Sequence, residues 1–252
     1  MEIHAVFILR ESGECIYDRI FSKKFENLQV NLITPLFSAF FVFSRQVLSE
    51  QPEVLELGKY RFCFKKEKSY IFAIQADTSM SNVYIRDCLD KITEVFFVGV
   101  ENRGWKEYEV ISDLKFDAVI DDIIFGGFNI LKKIDLYNQL EEYFNDLMVK
   151  DDILGVGLLS TTGEIIYSAL PEKILVSSIK ELEIKFMSGI SSIPQIFYSL
   201  ESGQKVFSRV IHQEESELNF FVVILFKPSV LLGMAEITLQ KVVKDLEKIG
   251  RI

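Results

Sequence analysis

The chain has 252 residues, of which 49% are hydrophobic and 13% aromatic, and its formal net charge at pH 7 is -9. That length suits two ordinary domains or one large one. The acidic balance argues against a nucleic-acid partner, because binding to phosphates requires clustered Lys and Arg. It argues equally against a polybasic membrane anchor. The chain also has 22 Phe, and we expect some of them at contacts between domains or chains.

The cysteines and the amino terminus predict a cytoplasmic protein. Cys15, Cys63 and Cys88 are odd in number and lack CxxC spacing, so neither a disulfide framework nor a zinc site is predicted. The amino terminus lacks the basic start of a secretory signal. No apolar run approaches the roughly 18 residues of a spanning helix. We therefore expect at most peripheral membrane association, through a partner.

An internal repeat is the main organisational feature. The segment VFILRESGECIY, Val6 to Tyr17, returns 150 positions later as VGLLSTTGEIIY, Val156 to Tyr167. Each copy has an apolar strand, a polar turn with Gly at its tip and a second strand, which is a β-hairpin pattern. A repeat of this length indicates a duplicated domain and not a solenoid. The recurring Gly and Tyr are expected to be scaffold, because Gly supplies the turn conformation and Tyr suits a strand.

The first half is predicted to contain five strands and three helices. The sequence Thr34-Pro35 is a helix start signal, because Thr caps a helix and Pro fits its first position. The second helix, predicted at 82–97, is expected to be capped by Asp77, Thr78 or Ser79. In chain order, the predicted elements are strands at 3–9 and 14–20, an irregular stretch at 21–31, a helix at 35–48, strands at 54–57, 60–64 and 70–75, and helices at 82–97 and 113–125.

The helix predicted over 35–48 is apolar on two adjacent faces. We expect the sheet to be covered by Leu36, Ala39, Phe40, Phe43 and Val47. The adjacent face would then require a second cover, because exposed apolar surface of that extent usually marks an interaction site. The candidate partner-binding residues are therefore Phe37, Phe41 and Leu48.

The second half is predicted to repeat this organisation with a helix placed first. In chain order, the predicted elements are a helix at 131–148, strands at 153–159 and 164–168, a helix within 177–200, two or three strands including 205–212 and 218–227, and a helix from Pro228 to about Ile249. Strands that come in hairpins with helices between them predict antiparallel sheets of the α+β class. We expect two domains, 1–130 and 131–252, each an antiparallel sheet of about five strands flanked by helices.

Two segments of the first half resemble the longin fold, which occurs in certain SNAREs and in the small and amino-terminal medium chains of clathrin-type adaptors. They are the opening hairpin, IHAVFILRESGECIYDRIF, and FDAVIDDIIFGGFNILKKIDLYNQL, which looks like the adaptor small-chain helix and the turn after it. The second half resembles the roadblock fold, a relative of longin whose extra helix precedes the first hairpin. Here that helix is Ile134 to Met148. Adaptor small chains contain one longin domain, whereas this chain continues into a second.

The resemblance implies a protein that is not an enzyme. Longin and roadblock domains pair through helices or sheet edges and serve as platforms for small GTPases in exchange factors and scaffolds. We therefore expect binding to a small GTPase or to another longin/roadblock-type subunit, in a guanine-nucleotide exchange or trafficking complex. Homodimers and heterodimers are both compatible with this expectation. A structural coat or adaptor subunit is the alternative.

A small-molecule sensor of the PAS or GAF type is a further alternative. Such domains also place helices on a central antiparallel sheet, but they need a cavity between helix and sheet. We expect the AFFVF segment, Ala39 to Phe43, to fill that space.

No residues are nominated for catalysis, for a cofactor or for a metal. The two histidines, His4 in a strand and His212 beside an acidic turn, are too few for a His-based triad or a multi-histidine metal site. No GxxxxGK[ST] motif occurs, and the pair Gly126-Gly127 follows a helix instead of opening one.

Four carboxylates share the predicted helix at 113–125, namely Asp113, Asp117, Asp121 and Asp122. We expect a solvated helix face, because carboxylates four residues apart repel each other unless a cation intervenes. Docking of a basic partner is the alternative.

Overall fold

The computed structural model describes residues 2–26, 30–103, 110–125, 130–150, 152–187, 195–211 and 219–249. The chain divides into two compact units, Met1–Gly127 and Phe128–Ile252. Each unit contains one five-stranded antiparallel sheet with helices packed on it, so the predicted α+β class with two such domains is confirmed. The predicted domain limits at residues 130 and 131 stay a prediction, since residues 126–129 beside them lie outside the described part.

The first unit has the predicted element order, and its sheet has the strand order β2-β1-β5-β4-β3. Its elements are β1 (Ile3–Arg10), β2 (Cys15–Ile20), a short 3-10 turn (Lys23–Phe25), α1 (Val30–Leu48), β3 (Val54–Leu57), β4 (Tyr60–Glu67), β5 (Tyr70–Asp77), α2 (Asn82–Arg103) and α3 (Leu114–Phe125).

Both faces of the first sheet are apolar, because its central strands β1 and β5 are buried along nearly their whole length. Side chains alternate between the two faces of a strand. One face packs on α1 through Ala5, Phe7, Leu9, Phe62, Phe64, Ile71 and Ala73. The other packs on α2 and α3 through Val6, Ile8, Cys63, Phe72, Ile74 and Ala76. The sheet is therefore the middle layer of three.

The second unit begins with a helix, and its sheet has the order β7-β6-β10-β9-β8, which matches the first sheet. Its elements are α4 (Ile130–Lys150), β6 (Ile153–Ser160), β7 (Ile165–Ser168), α5 (Glu172–Met187), β8 (Gln195–Ser199), β9 (Lys205–Ile211), β10 (Phe220–Phe226) and α6 (Leu232–Ile249). Helices α4 and α6 share one core with the sheet. Helix α5 contacts β9, where Ser208 Oγ donates to Glu181 Oε1 at 3.0 Å. No helix within the described residues is long and apolar enough to cross a membrane.

The repeated hairpin is one structure present twice. Gly13 and Gly163 have φ values of 90° and 92°, where glycine is favoured. The backbone N–H of Arg10 donates to the carbonyl of Glu14 at 3.0 Å, and that of Ser160 donates to Glu164 at 2.8 Å. Each hairpin also has a register shift at the same place, after Ile8 and after Leu158. The prediction that the recurring glycines shape the turn is confirmed.

The recurring tyrosine packs against a helix in both units. In the first unit this helix follows the strands in the chain, and in the second it precedes them. The ring centroid of Tyr17 lies 4.8 Å from that of Phe116 on α3, which follows the first sheet in the chain. The ring centroid of Tyr167 lies 4.9 Å from that of Phe144 on α4, which precedes the second sheet. This exchange of position separates the longin-like order of the first unit from the roadblock-like order of the second.

Helix α1 begins at Val30, so the predicted start at Pro35 is wrong. Pro35 lies inside the helix, where its missing N–H removes one helical hydrogen bond. Thr34 is not a cap but a buried helical residue, whose Oγ1 donates to the carbonyl of Val30 at 3.2 Å. Val30 and Ile33 pack against the core on the sheet, and this burial favours a helix that extends through the start signal.

Two other predictions need correction. The cap of α2 is Ser81, whose Oγ accepts the N–H of Tyr84 at 3.2 Å, and not Asp77, Thr78 or Ser79. Helix α5 ends at Met187, and Gln195–Ser199 is an edge strand paired with β9 and not the end of a helix. Pro194, whose sequence signal predicts a kink, a division of this helix or the start of a new element, lies outside the described residues.

The predicted assignment of the two faces of α1 is reversed. Phe37 and Phe41 are buried, with 1% and 8% of their surface exposed. The ring of Phe37 lies 5.0 Å from Phe62 and 4.9 Å from Phe64, in edge-to-face contacts that aromatic pairs favour. Most of the face predicted to cover the sheet points to solvent, with Phe43 at 57% exposure, and only Phe40 of that set packs partly against the core. Both faces are apolar, and the aromatic side chains on β4 select the Phe37 face.

This reversal predicts different costs for two phenylalanines on one helix. Phe37→Ala is expected to lower the free energy of unfolding of the first unit by about 3–5 kcal/mol, because it leaves a cavity in the core. Phe43→Ala is the control and is expected to change it by less than about 0.5 kcal/mol. Hydrogen exchange of the β5 amides measures the stability of this unit. Equal protection in the two variants would contradict the assignment.

Candidate interaction surface

The outer face of α1 is an exposed apolar surface formed by Leu32, Leu36, Ala39, Phe43 and Val47. The four large side chains are exposed by 55% to 68%. They recur three to four residues apart, so they lie on one side of the helix for most of its length. The only charge in the helix is Arg45, which is not on this face. A contiguous face of this kind differs from the single exposed apolar residues that proteins normally have.

The predicted partner-binding residues fall in two environments. Phe37 and Phe41 lie in the core beneath α1, whereas Leu48 is 63% exposed at the carboxyl end of the helix. Partner binding through these residues stays a prediction, and Leu48 is the one that a partner could reach. The outer face was missed as a site because its spacing was interpreted as core packing.

The structurally equivalent helix of the second unit provides an internal comparison. Helix α5 also lies between the second and third strands of its unit, and its buried side is apolar. Its solvent side, however, exposes Lys173, Ser177 and Lys180, with Ile184 as the large apolar exception. A helix at this place in the fold is therefore compatible with a polar outer surface, and the fold itself does not require the apolar outer face of α1.

An edge strand adjoins α1. Strand β3 is the last in its sheet and pairs with β4 alone among the described strands. Leu55 of β3 packs at the margin of the core beneath α1, and Leu57 is 52% exposed. At the opposite edge, by contrast, the N–H of Ile111 donates to Ile16 of β2 at 2.8 Å. Among the residues that the structure describes, no strand pairs with the outer edge of β3, and such an edge is one to which another chain can add.

The acidic residues of α3 have partners within the first unit. The Arg19 guanidinium on β2 donates to Asp121 at 3.0 and 2.6 Å and to Asp117 at 3.5 Å. Tyr17 donates its hydroxyl to Asp117 at 2.9 Å. Burial is the larger cause, and this hydrogen bond the second, of a raised pKa for Tyr17. The expectation of a wholly solvated face is therefore wrong.

The other two acidic residues have separate roles. Asp113 Oδ1 accepts the N–H of Lys115 at 2.8 Å, which caps α3. Asp122 is exposed and is the one of the four that remains available for the alternative of docking a basic partner.

His4 is completely buried and belongs to a structural contact. Its Nε2 lies 2.9 Å from Asp77 Oδ1, and its ring packs between Phe25 and Tyr60 at centroid distances of 5.0 and 5.5 Å. His212 lies outside the described residues. Among the residues that the structure describes, no group of three or more His, Cys, Asp or Glu could hold a metal ion.

A small cavity lies on the other flank of α1, on the side of the β1–β2 turn. Its volume is about 100 Å³, well below the roughly 300–1,000 Å³ of sites for drug-sized ligands. The residues that line it are Glu11, Ser38, Phe41, Val42, Arg45, Gln51, Lys66 and Ile71.

Comparisons with known proteins show structural likeness at low similarity. No family model and no curated protein matches the chain. One solved structure, Myxococcus xanthus MglB, is 14% identical with a TM-score of 0.37, over 46% of this chain and 90% of that chain. A Roadblock/LC7 domain from Streptomyces avermitilis is 12% identical with a TM-score of 0.26, over 31% and 68%.

A homology model of the full-length AP-3 complex in a stretched open conformation is 14% identical with a TM-score of 0.33, over 76% of this chain and 99% of that chain. These scores carry no argument about function. The strand order and helix placement described above are the basis on which the two units fit tandem longin-like and roadblock-like domains.

The Arg19 contact predicts a modest contribution to stability. Arg19→Gln is expected to lower the free energy of unfolding of the first unit by about 1 kcal/mol, because the ion pair with Asp121 is partly exposed and screened by solvent. Denaturant unfolding in low and high salt measures the effect, which should shrink at high salt. Lys91→Gln, which removes an exposed pair with Asp87 within α2, is the control. A loss no greater than that of the control would contradict the prediction.

The His4 contact predicts a pH dependence of stability. Burial acts to raise the pKa of Asp77, but the hydrogen bonds and charges of His4 and of the amino terminus together outweigh it, and the net pKa is lowered. The carboxylate therefore contributes stability above its unfolded pKa of about 4, and this contribution is lost as the pH falls through the lower folded pKa. The difference in unfolding free energy between wild type and Asp77→Asn should be largest above pH about 5 and shrink at lower pH. A constant difference would contradict this.

Proposed function

We propose that this protein is a non-enzymatic binding platform that uses the outer face of α1 to dock a small GTPase or another longin/roadblock-type subunit. The observation that carries the proposal is an uncharged apolar helix face, with large side chains exposed by 55% to 68%. Burial of such a face removes apolar surface from water, which is the main favourable term in association.

The position of this face supports a partner that contacts helix and strand together. The partly buried residues Phe40 and Leu55 belong to the same core, one on α1 and one on β3. A partner of longin or roadblock type has a comparable helix and edge strand, so two such surfaces can complement each other. Burial of the helix face would supply affinity, and backbone hydrogen bonds at β3 would fix the alignment of the partner's strand.

For a GTPase partner, the action would be steric. Binding at the helix face would displace a switch loop and open the nucleotide site, with no covalent step. The acidic surface of the chain disfavours nucleic acid as an alternative partner. In this proposal the protein works in the cytoplasm and reaches membranes only through its partner.

Two other roles make different demands on the structure. A coat or adaptor subunit would use the same outer face but would not change nucleotide release. A PAS-like or GAF-like sensor would need a ligand-sized space beneath α1, where Phe37 and Phe41 lie against Phe62 and Phe64. The cavity of about 100 Å³ beside this cluster is too small for a nucleotide or flavin. The platform role is therefore preferred.

The test compares wild type with the double variant Leu36→Asp/Phe43→Asp in pull-downs from the source cell extract, with recovered proteins identified by mass spectrometry. Wild type is expected to recover a small GTPase or a longin/roadblock-type protein. The double variant should bind at least about 30-fold more weakly, because buried apolar anchors each contribute about 2 kcal/mol or more. Ile184→Asp on α5 is the matched control, since Ile184 is 69% exposed, and it should bind like wild type.

Nucleotide release from a recovered GTPase then separates the two leading roles. Acceleration by wild type and not by the double variant supports exchange, and an unchanged rate with binding retained supports a coat or adaptor subunit. Recovery of neither class of partner, or equal binding by the double variant, would contradict the proposal.

A further inference from the structure

The small cavity described above, which lies beside α1 on the side of the β1–β2 turn, has an apolar floor and a polar rim. Phe41 and Ile71 are buried residues of the core beneath the helix, and Val42 is 41% exposed at the opening. The rim contains two cations, Arg45 and Lys66, and one carboxylate, Glu11. A concave site that combines apolar walls with a few charged groups is typical of ligand binding.

One wall of the cavity is held in place by contacts within the unit. The N–H of Glu11 donates to the carbonyl of Ser69 at 3.1 Å, and Ser38 donates its hydroxyl to the carbonyl of Glu11. The Glu11 carboxylate forms an ion pair with Lys66, whose side chain is only 17% exposed. The Glu11–Lys66 pair is therefore internally neutralised, and the wall is preorganised, which reduces the entropy lost on binding.

Arg45 differs from Lys66 in this respect. Within the described part of the chain, the Arg45 guanidinium makes no hydrogen bond or ion pair, and the residue is exposed at the rim. The three charged groups of the cavity sum to +1, whereas the whole chain carries -9. A guanidinium matches the geometry of a carboxylate, to which it can donate two parallel hydrogen bonds. The cavity is thus a local site for an anion on an acidic protein.

The volume restricts what that anion can be. About 100 Å³ is well below the roughly 300–1,000 Å³ of sites for drug-sized ligands. A nucleotide or an aromatic cofactor does not fit, but a carboxylate on a chain of a few methylenes does. Its methylenes would lie on Phe41 and Val42, above the fully buried Ile71, and its carboxylate would reach Arg45. Bare inorganic anions would leave the apolar floor uncovered.

We propose that this cavity binds a short aliphatic carboxylate, with Arg45 as the group that recognises the carboxylate. The chemistry is the same for a free acid and for the side chain of a Glu residue on a partner protein. The cavity residues Ser38, Phe41, Val42 and Arg45 are distinct from the outer face of α1. The proposal therefore does not rest on the proposed function, and each can fail without the other.

The experiment is an NMR titration of the full chain with labelled Ile and Val methyl groups. Propionate is expected to give saturable shifts at the methyls of Val42 and Ile71 with a millimolar midpoint, as befits so small a ligand. Propionamide, which has nearly the same shape and no charge, should not. Arg45→Gln is expected to weaken propionate binding at least about tenfold, because it removes charge-assisted hydrogen bonds.

Arg86→Gln is the matched control, since Arg86 is an exposed arginine on α2 that pairs with Glu53 and does not line the cavity. It should leave the propionate titration unchanged. Absence of saturable shifts, equal shifts with propionamide, or an Arg45→Gln titration like that of wild type would overturn the proposal.

A second titration distinguishes the two sources of the carboxylate. The probe is N-acetyl-glutamate N-methylamide, with the corresponding glutamine compound as its neutral control. Binding of the glutamate compound as tightly as propionate supports the Glu side chain of a partner. Binding of propionate alone supports a free acid, because the backbone of the blocked residue would then clash with the rim. Failure of both carboxylates to bind would overturn the proposal.

Discussion

Each of the two units depends on a sheet whose two faces must both be covered and so removed from water. Strand β1 is buried at every position from Ile3 to Leu9, and β10 is buried at all seven of its positions. Apolar burial contributes roughly 25 cal/mol per Å², so neither face can be left open without a large loss of stability. Helices on both sides follow from this requirement, and so do the three layers of the first unit and the helices of the second.

The sequence predicts this requirement well and predicts its local solutions less well. Apolar strand patterns, with a glycine or a run of charged residues at the turn, predict the hairpins because both signals are short-range. The face of α1 could not be assigned, because Phe37 and Phe43 are equally apolar and the choice depends on Phe62 and Phe64 some 20 residues further on. Pro35 predicts a helix start that is too late, because the packing of Val30 against the core overrides the local signal. The edge strand Gln195–Ser199 was missed because a short apolar run does not separate strand from helix.

The candidate surface illustrates the same limit. The carboxylates of α3 looked solvated because their partner, Arg19, lies on a strand near the start of the chain. The sequence assigns most of the outer face of α1 to the core, because a helical wheel shows which residues share a side but not where that side points. Sequence reasoning did find that the helix has more apolar surface than one sheet can bury. The structure identifies which half is left over, and α5 shows that such an excess is not a property of the fold.

The tyrosine of the repeated hairpin has a consequence for how the two halves are connected. Tyr17 is covered by α3 and Tyr167 by α4, and these two helices are neighbours in the chain, the last of one unit and the first of the next. Within its own unit, each sheet thus has a helix that packs against this tyrosine. The two units differ in the order of their elements. The helix that packs against the tyrosine follows the sheet in the first unit and precedes it in the second. The main difference between the two units therefore lies in the order of their elements along the chain and not in the strand order of their sheets.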